Sequence, residues 1–146
     1  MRKIVALLLL SLLPAVVSAQ KAQPFVGYIV NKEYNVYIRM DFYQNSVVVP
    51  GQSIFGELPG FFGDNQDGRK WLFTSAKVKG RQATLAITND YGSEDLTATL
   101  TCTSDSTFTL RQEKGSTLKI ARRGHWTKIP KEIEFKRPGG TVNRLP

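Results

Sequence analysis

His125 and Cys102 are the only imidazole and the only thiol in the chain, which narrows its chemistry at once. Nucleophilic catalysis needs a nucleophile held beside a base, and His125, next to Trp126, stands in no G-x-S-x-G elbow or comparable context. Zinc sites of the usual kind need several Cys or His ligands. Cys102 falls on the apolar side of an alternating segment and reads as a small buried hydrophobe; without a second cysteine an intramolecular disulfide is excluded. Carboxylates remain, and a pair drawn from Glu57, Asp90, Glu94 and Asp95 could cleave a glycosidic bond, although their spacing favours no two of them. Two acidic loops invite a calcium reading. Setting Gly68 at the sixth position of an EF-hand loop puts Gly63 where the first aspartate belongs and Thr74 where the last glutamate belongs, so residues 60–69 read as a hairpin loop. Asn89 to Asp95 reads as a turn capped by its own polar side chains. The sequence therefore implies no metal and no cofactor, and its leading reading is not an enzyme.

Residues suited to binding are easier to find. Residues 20–110 hold 8 basic and 9 acidic side chains, whereas residues 111–146 hold 10 basic and 3 acidic, so the net charge of +8 comes mainly from the last quarter. Arg122, Arg123 and Lys128 in that quarter are candidates to hold an anionic head group, a glycan or a phospholipid surface. A solvated, solubilising face is the plainer alternative. Phe61, Phe62 and Trp71 are candidate apolar contacts. Two adjacent phenylalanines cannot both point inward from an extended chain, so one of them caps a barrel end or meets a ligand unless both fold back onto the core. Tyr28, Phe73 and Phe108 are further aromatic candidates, each equally suited to the core.

The N-terminus indicates where the chain acts. Arg2 and Lys3 precede an apolar run from Ile4 to Leu13, Pro14 breaks it, and Val17-Ser18-Ala19 supplies small residues of the kind a signal peptidase reads. The run is shorter than the roughly 20 residues of a spanning helix, so residues 1–19 are expected to be a cleaved signal peptide. Export to the periplasm, the cell surface or the medium follows, and nucleic acid is a disfavoured partner. Residues 20–137 are expected to form one domain, with 138–146 as a flexible basic tail.

The positioning elements are strands. Ala83, Leu85 and Ile87 alternate with polar residues, as do Leu96, Ala98, Leu100 and Cys102 with threonines; a period of two is a strand period. The stretch from Trp71 to Leu110 thus predicts four consecutive antiparallel strands. Further strands are expected at Phe25–Val30, Val36–Phe42, Ser46–Val49, Ser53–Leu58, Ser116–Ala121, His125–Ile129 and around Ile133 and Phe135. No amphipathic helix of useful length appears. The fold class is all-β: an antiparallel up-and-down meander closed into a small barrel of about 8–10 strands, with a β-sandwich as the alternative.

The signal segment, the size and this meander resemble the small secreted calycin or lipocalin-like barrels of bacteria. Lipocalins carry a glycine and a tryptophan two apart near the first strand, whereas here Gly27 is followed by Tyr28 and Ile29. The resemblance implies a barrel with a ligand pocket. Three functions remain open. The first is a non-catalytic exported barrel that takes an apolar or amphipathic small molecule, with or without an anionic group, in its interior or mouth. The second is an interaction module that binds an envelope protein or a polysaccharide on its outer face. The third is a carboxylate-dependent glycan hydrolase.

Overall fold

A computed structural model describes residues 22–139; the expected signal peptide, residues 1–19, and residues 140–146 of the expected tail lie outside the described residues. The chain forms twelve strands among the described residues: β1 (Val26–Asn31), β2 (Val36–Asp41), β3 (Val47–Val48), β4 (Glu57–Leu58), β5 (Gly60–Asp64), β6 (Trp71–Lys79), β7 (Gln82–Asn89), β8 (Asp95–Cys102), β9 (Thr107–Gly115), β10 (Lys119–Arg122), β11 (His125–Lys128) and β12 (Glu132–Lys136). Eight of them close an antiparallel up-and-down barrel in the order β1-β2-β5-β6-β7-β8-β9-β12. The barrel is compatible with a calycin-like fold. Two excursions interrupt the meander. The β3–β4 pair lies between β2 and β5, and the β10–β11 hairpin lies between β9 and β12. No helix among the described residues is long and apolar enough to cross a membrane.

The interior is packed with side chains. Phe25, Phe62, Phe73, Phe108 and Phe135 are fully buried with Ile29, Ile38, Met40, Leu85, Ile87 and Leu100. The rings form two sets: Phe25 stacks on Phe42 at 5.5 Å and meets Phe108 edge-on at 6.1 Å, and Phe62 is edge-on to Phe135 at 6.4 Å. Each such residue stabilises the fold by about 1.5–3 kcal/mol. Outside the wall, Val47, Val49, Phe61 and Leu72 form a second cluster with Tyr37 and Leu58, covered by the β3–β4 excursion.

That outer cluster explains where expectation and structure part. Residues 60–64 are a strand rather than the start of a loop, because β5 is buried on both faces: Phe62 enters the barrel while Phe61 packs under the excursion. Strands buried on both faces lose the polar half of the alternation. Ser53–Phe55 is a 3-10 turn, and only Glu57–Leu58 of the expected strand pairs. A bulge between Phe73 and Ser75 changes the phase of β6, so Trp71 and Phe73 face the core and so do Ala76 and Val78. Gly63 has a packing reason: a Cβ there would run into the ring of Tyr37.

The ring closes at β1 and β12, which share the single backbone register pair Val30–Lys136. Side chains complete the seam. Asn31 Nδ2 donates to Glu134 O at 2.8 Å, and the Arg137 guanidinium donates to Val26 O at 2.7 Å and Pro24 O at 2.6 Å. At the opposite end of β9 the buried Gln112 fixes the β10–β11 hairpin. Its Oε1 accepts from Leu118 N at 2.7 Å, and its Nε2 donates to Ile129 O at 3.2 Å and Pro130 O at 3.0 Å.

Gln112→Ala is expected to lower stability by about 3 kcal/mol, because it strands buried backbone groups at both legs of the hairpin; a urea titration read by circular dichroism measures it. A second expectation concerns pH. Burial, then the neighbouring Tyr28 and Asp64, raises the Tyr37 phenol above its ordinary value, and burial raises Tyr28. The folded state therefore holds these protons more tightly than the unfolded chain, whose tyrosines titrate near about 10. Their contribution is intact below that pH and is lost as pH rises through the folded values. The urea midpoint should fall above pH of about 10, and Tyr37→Phe should flatten that fall.

Candidate functional site

The β10–β11 hairpin lies across one end of the barrel. Ile120, with Leu118 and Ile129 at the hairpin's base, plugs that end as part of the core. Arg123 and Gly124 form its tip, both with positive φ (53° and 75°), the geometry of a two-residue hairpin turn that suits a twisted ribbon. Three connections meet this hairpin at the same end: Lys32–Asn35, Asn65–Lys70 and Asp90–Glu94.

Ion pairs tie them together. Arg122 makes a bidentate pair with Asp64 at 2.6 and 2.9 Å, and its Nη2 also donates to Tyr34 O at 2.8 Å. The Asp64 side chain is only 3% exposed and that of Arg122 21%, so the carboxylate is buried beneath a partly exposed guanidinium. Its hydrogen bond to Asp64 raises the Arg122 pKa further above its already high ordinary value, and the guanidinium is charged at every pH where the protein folds. Lys119 Nζ pairs with Glu94 at 2.9 Å. Trp71 Nε1 donates to Lys119 O at 3.2 Å and so anchors β10 to the start of β6.

Between these elements lies a cleft of about 310 Å3, lined by Arg69, Lys70, Trp71, Asn89, Asp90, Tyr91, Ser93, Glu94, Lys119 and Trp126. Trp126 is 57% exposed and Tyr91 80% exposed, so neither ring serves the core. Two cations lie over the Trp126 ring: Arg69 Cζ at 5.0 Å and Lys119 Nζ at 5.6 Å from its centroid. Such contacts hold a ring in one orientation while leaving part of it open. The turn below is equally fixed, with Asn89 Oδ1 accepting from Ser93 N at 2.9 Å and Asn89 Nδ2 donating to Ser93 Oγ at 2.9 Å. Asp90 Oδ2 accepts from Lys70 N at 3.2 Å. The result is a groove with aromatic faces and several fixed polar groups.

The six residues singled out from the sequence divide among these places. Phe62 is inside the barrel, Phe61 is under the β3–β4 excursion, and both are buried. Trp71 is 5% exposed and forms the floor of the cleft. Arg122 is committed to Asp64, Arg123 is exposed at the hairpin tip, and Lys128 is exposed on β11 across from Lys119. Of the carboxylates, Asp90 and Glu94 enter the cleft, while Glu57 and Asp95 do not line it. Phe73 and Phe108 are core, and Tyr28 lies against Tyr37 at 5.3 Å. No three His, Cys, Asp or Glu side chains among the described residues converge on a common point.

Sequence reasoning passed over Arg69, Tyr91 and Trp126. The signal was present for the aromatics. Tyr91 sits in an otherwise polar turn, and Trp126 is out of phase with Ile129, which places it on the outward face of an extended hairpin.

Arg122→Ala is expected to cost about 3–5 kcal/mol, since it leaves the Asp64 carboxylate buried without its partner, and Arg122→Ala combined with Asp64→Ala should recover part of that loss; chemical denaturation of the two variants provides the comparison. Comparison with protein-family models, with curated proteins and with solved structures finds no match, so geometry alone carries the reading of this site.

Proposed function

We propose that this chain is an exported, non-catalytic binding module that holds a glycan in the cleft beside the β10–β11 hairpin. The observation that carries this reading is the pair of exposed rings, Trp126 and Tyr91, on a cleft furnished with hydrogen-bonding side chains. A sugar ring has an apolar C–H face and a polar hydroxyl edge. It therefore suits an aromatic wall beside fixed carboxylate, amide and cationic groups. Asn89, Asp90, Ser93 and Glu94 supply acceptors, and Arg69 and Lys70 supply donors.

Charge favours an acidic glycan. Glu94 is balanced by Lys119, while exposed Arg123 and Lys128 on the same hairpin have no acidic partner among the described ion pairs. Packed side chains fill the middle of the barrel, which supports recognition at the surface over a ligand inside. Asp90 and Glu94 act here as acceptors for hydroxyl groups.

Affinity electrophoresis through gels containing alginate or the neutral glucan laminarin tests the reading. Alginate should retard the protein more strongly than laminarin. Trp126→Ala should weaken retention about tenfold, as truncation of a central aromatic contact does. Lys128→Gln should weaken retention by alginate alone and reduce its sensitivity to salt. Equal mobility of the unaltered protein and Trp126→Ala in every gel would remove the cleft from consideration.

A further inference from the structure

The other end of the barrel carries a second, unrelated cleft. It is larger, about 820 Å3, and lies where the N-terminal run, the β6–β7 turn and the β8–β9 turn meet. That volume is within the range of small-molecule sites. Pro24, Tyr43 and Val78 give it apolar walls, and Arg81, Asp105 and Arg137 stand around it.

The arginines are held in an uncommon way. Arg81 Nε donates to Cys102 O at 3.0 Å, and its Nη2 meets Cys102 Sγ at 3.4 Å. Arg137 is fixed by Val26 O and Pro24 O and lies over the Phe108 ring at 5.3 Å. Neutral carbonyls orient both groups without cancelling their charge. Neither arginine belongs to an ion pair among the described residues, although Asp105 lines the same cleft. A guanidinium has five N–H donors, so each keeps donors free for an anion. Oriented cations beside an apolar wall match a molecule with a hydrocarbon body and an anionic head.

We infer that this mouth binds a single-chain amphipathic carboxylate, with its hydrocarbon body against Val78, Pro24 and Tyr43 and its carboxylate at the arginine rim. The inference is independent of the glycan reading, since it uses other residues at the opposite end.

Calorimetric titration with laurate, below its micellar concentration, tests it on the purified chain. Saturable binding at one molecule per chain is expected. Arg81→Gln changes an exposed position next to a turn and should weaken laurate about tenfold, the loss of one charge-assisted contact, while leaving the weaker binding of dodecanol unchanged. Arg137→Gln also opens the barrel seam, so Val78→Glu, which sets a like charge in the mouth, is the second variant and should weaken laurate as well. Trp126→Ala should bind laurate as the unaltered protein does. The proposal is overturned if the unaltered protein ignores laurate, or if both mouth variants keep their native spectrum and bind it equally well. Association with phosphatidylglycerol vesicles without binding of free laurate would also overturn it, in favour of a membrane surface.

Discussion

Closure of the eight-stranded ring is the constraint to which the rest of this molecule answers. A sheet left open would expose two rows of unpaired N–H and C=O groups, and here the last two strands to meet share only one backbone register pair. Asn31 and Arg137 supply from side chains what the ladder lacks, one at each end of the seam. Closure also fixes the interior, because a ring of eight strands is just wide enough for side chains to fill. Six phenylalanines and the aliphatic residues between them occupy that space. The middle of the barrel is thus committed to stability, and the ends and the outer wall are the surfaces left open to solvent.

The two ends are built on different principles. At one, a hairpin of two four-residue strands is folded over the opening and locked by Gln112, the Arg122–Asp64 pair and the Trp71 indole. A polar residue at an inward position is costly unless its hydrogen bonds are met, and Gln112 meets its own by holding both legs of the hairpin. At the other end no hairpin among the described residues is folded across. The N-terminal run lies along the rim, and two arginines hold it and the β8 terminus through backbone carbonyls. A capped end offers a rigid outer surface, and an uncapped end offers a mouth.

The sequence made the barrel walls legible wherever one face of a strand meets water. β7 and β8 read correctly to within a residue, since Leu85, Ile87, Leu96 and Leu100 alternate with polar neighbours. The period failed where the environment on the two faces is not contrasted. Phe61 and Phe62 are both buried, in different clusters, and the strand that holds them looked like a loop. β9 runs five residues past Leu110 because its next inward residue is Gln112 and a bulge follows between the residues paired with Thr97 and Ala98. The convergence of Arg69, Tyr91 and Trp126 was beyond reach for a different reason. Arg69 and Tyr91 lie on two connections and Trp126 on β11, and only strand order brings these three places together.

Charge shows the same limit of a one-dimensional reading, and it bears on what the hairpin is for. The basic last quarter is one block in the sequence but several sites in space. Arg122 is spent on Asp64 and Lys119 on Glu94, Arg137 lies at the far end of the barrel, and Arg123 and Lys128 face solvent. A hairpin serving only as a plug would need Ile120 inward and nothing apolar outward. This one also turns Trp126 to solvent, under two cations that steady the ring without covering it. Burying such a ring would stabilise the fold by a few kcal/mol, and its position on the outer face forgoes that gain. The exposed ring therefore has no account in core packing, and it is the rigid apolar face on which the proposed glycan reading rests.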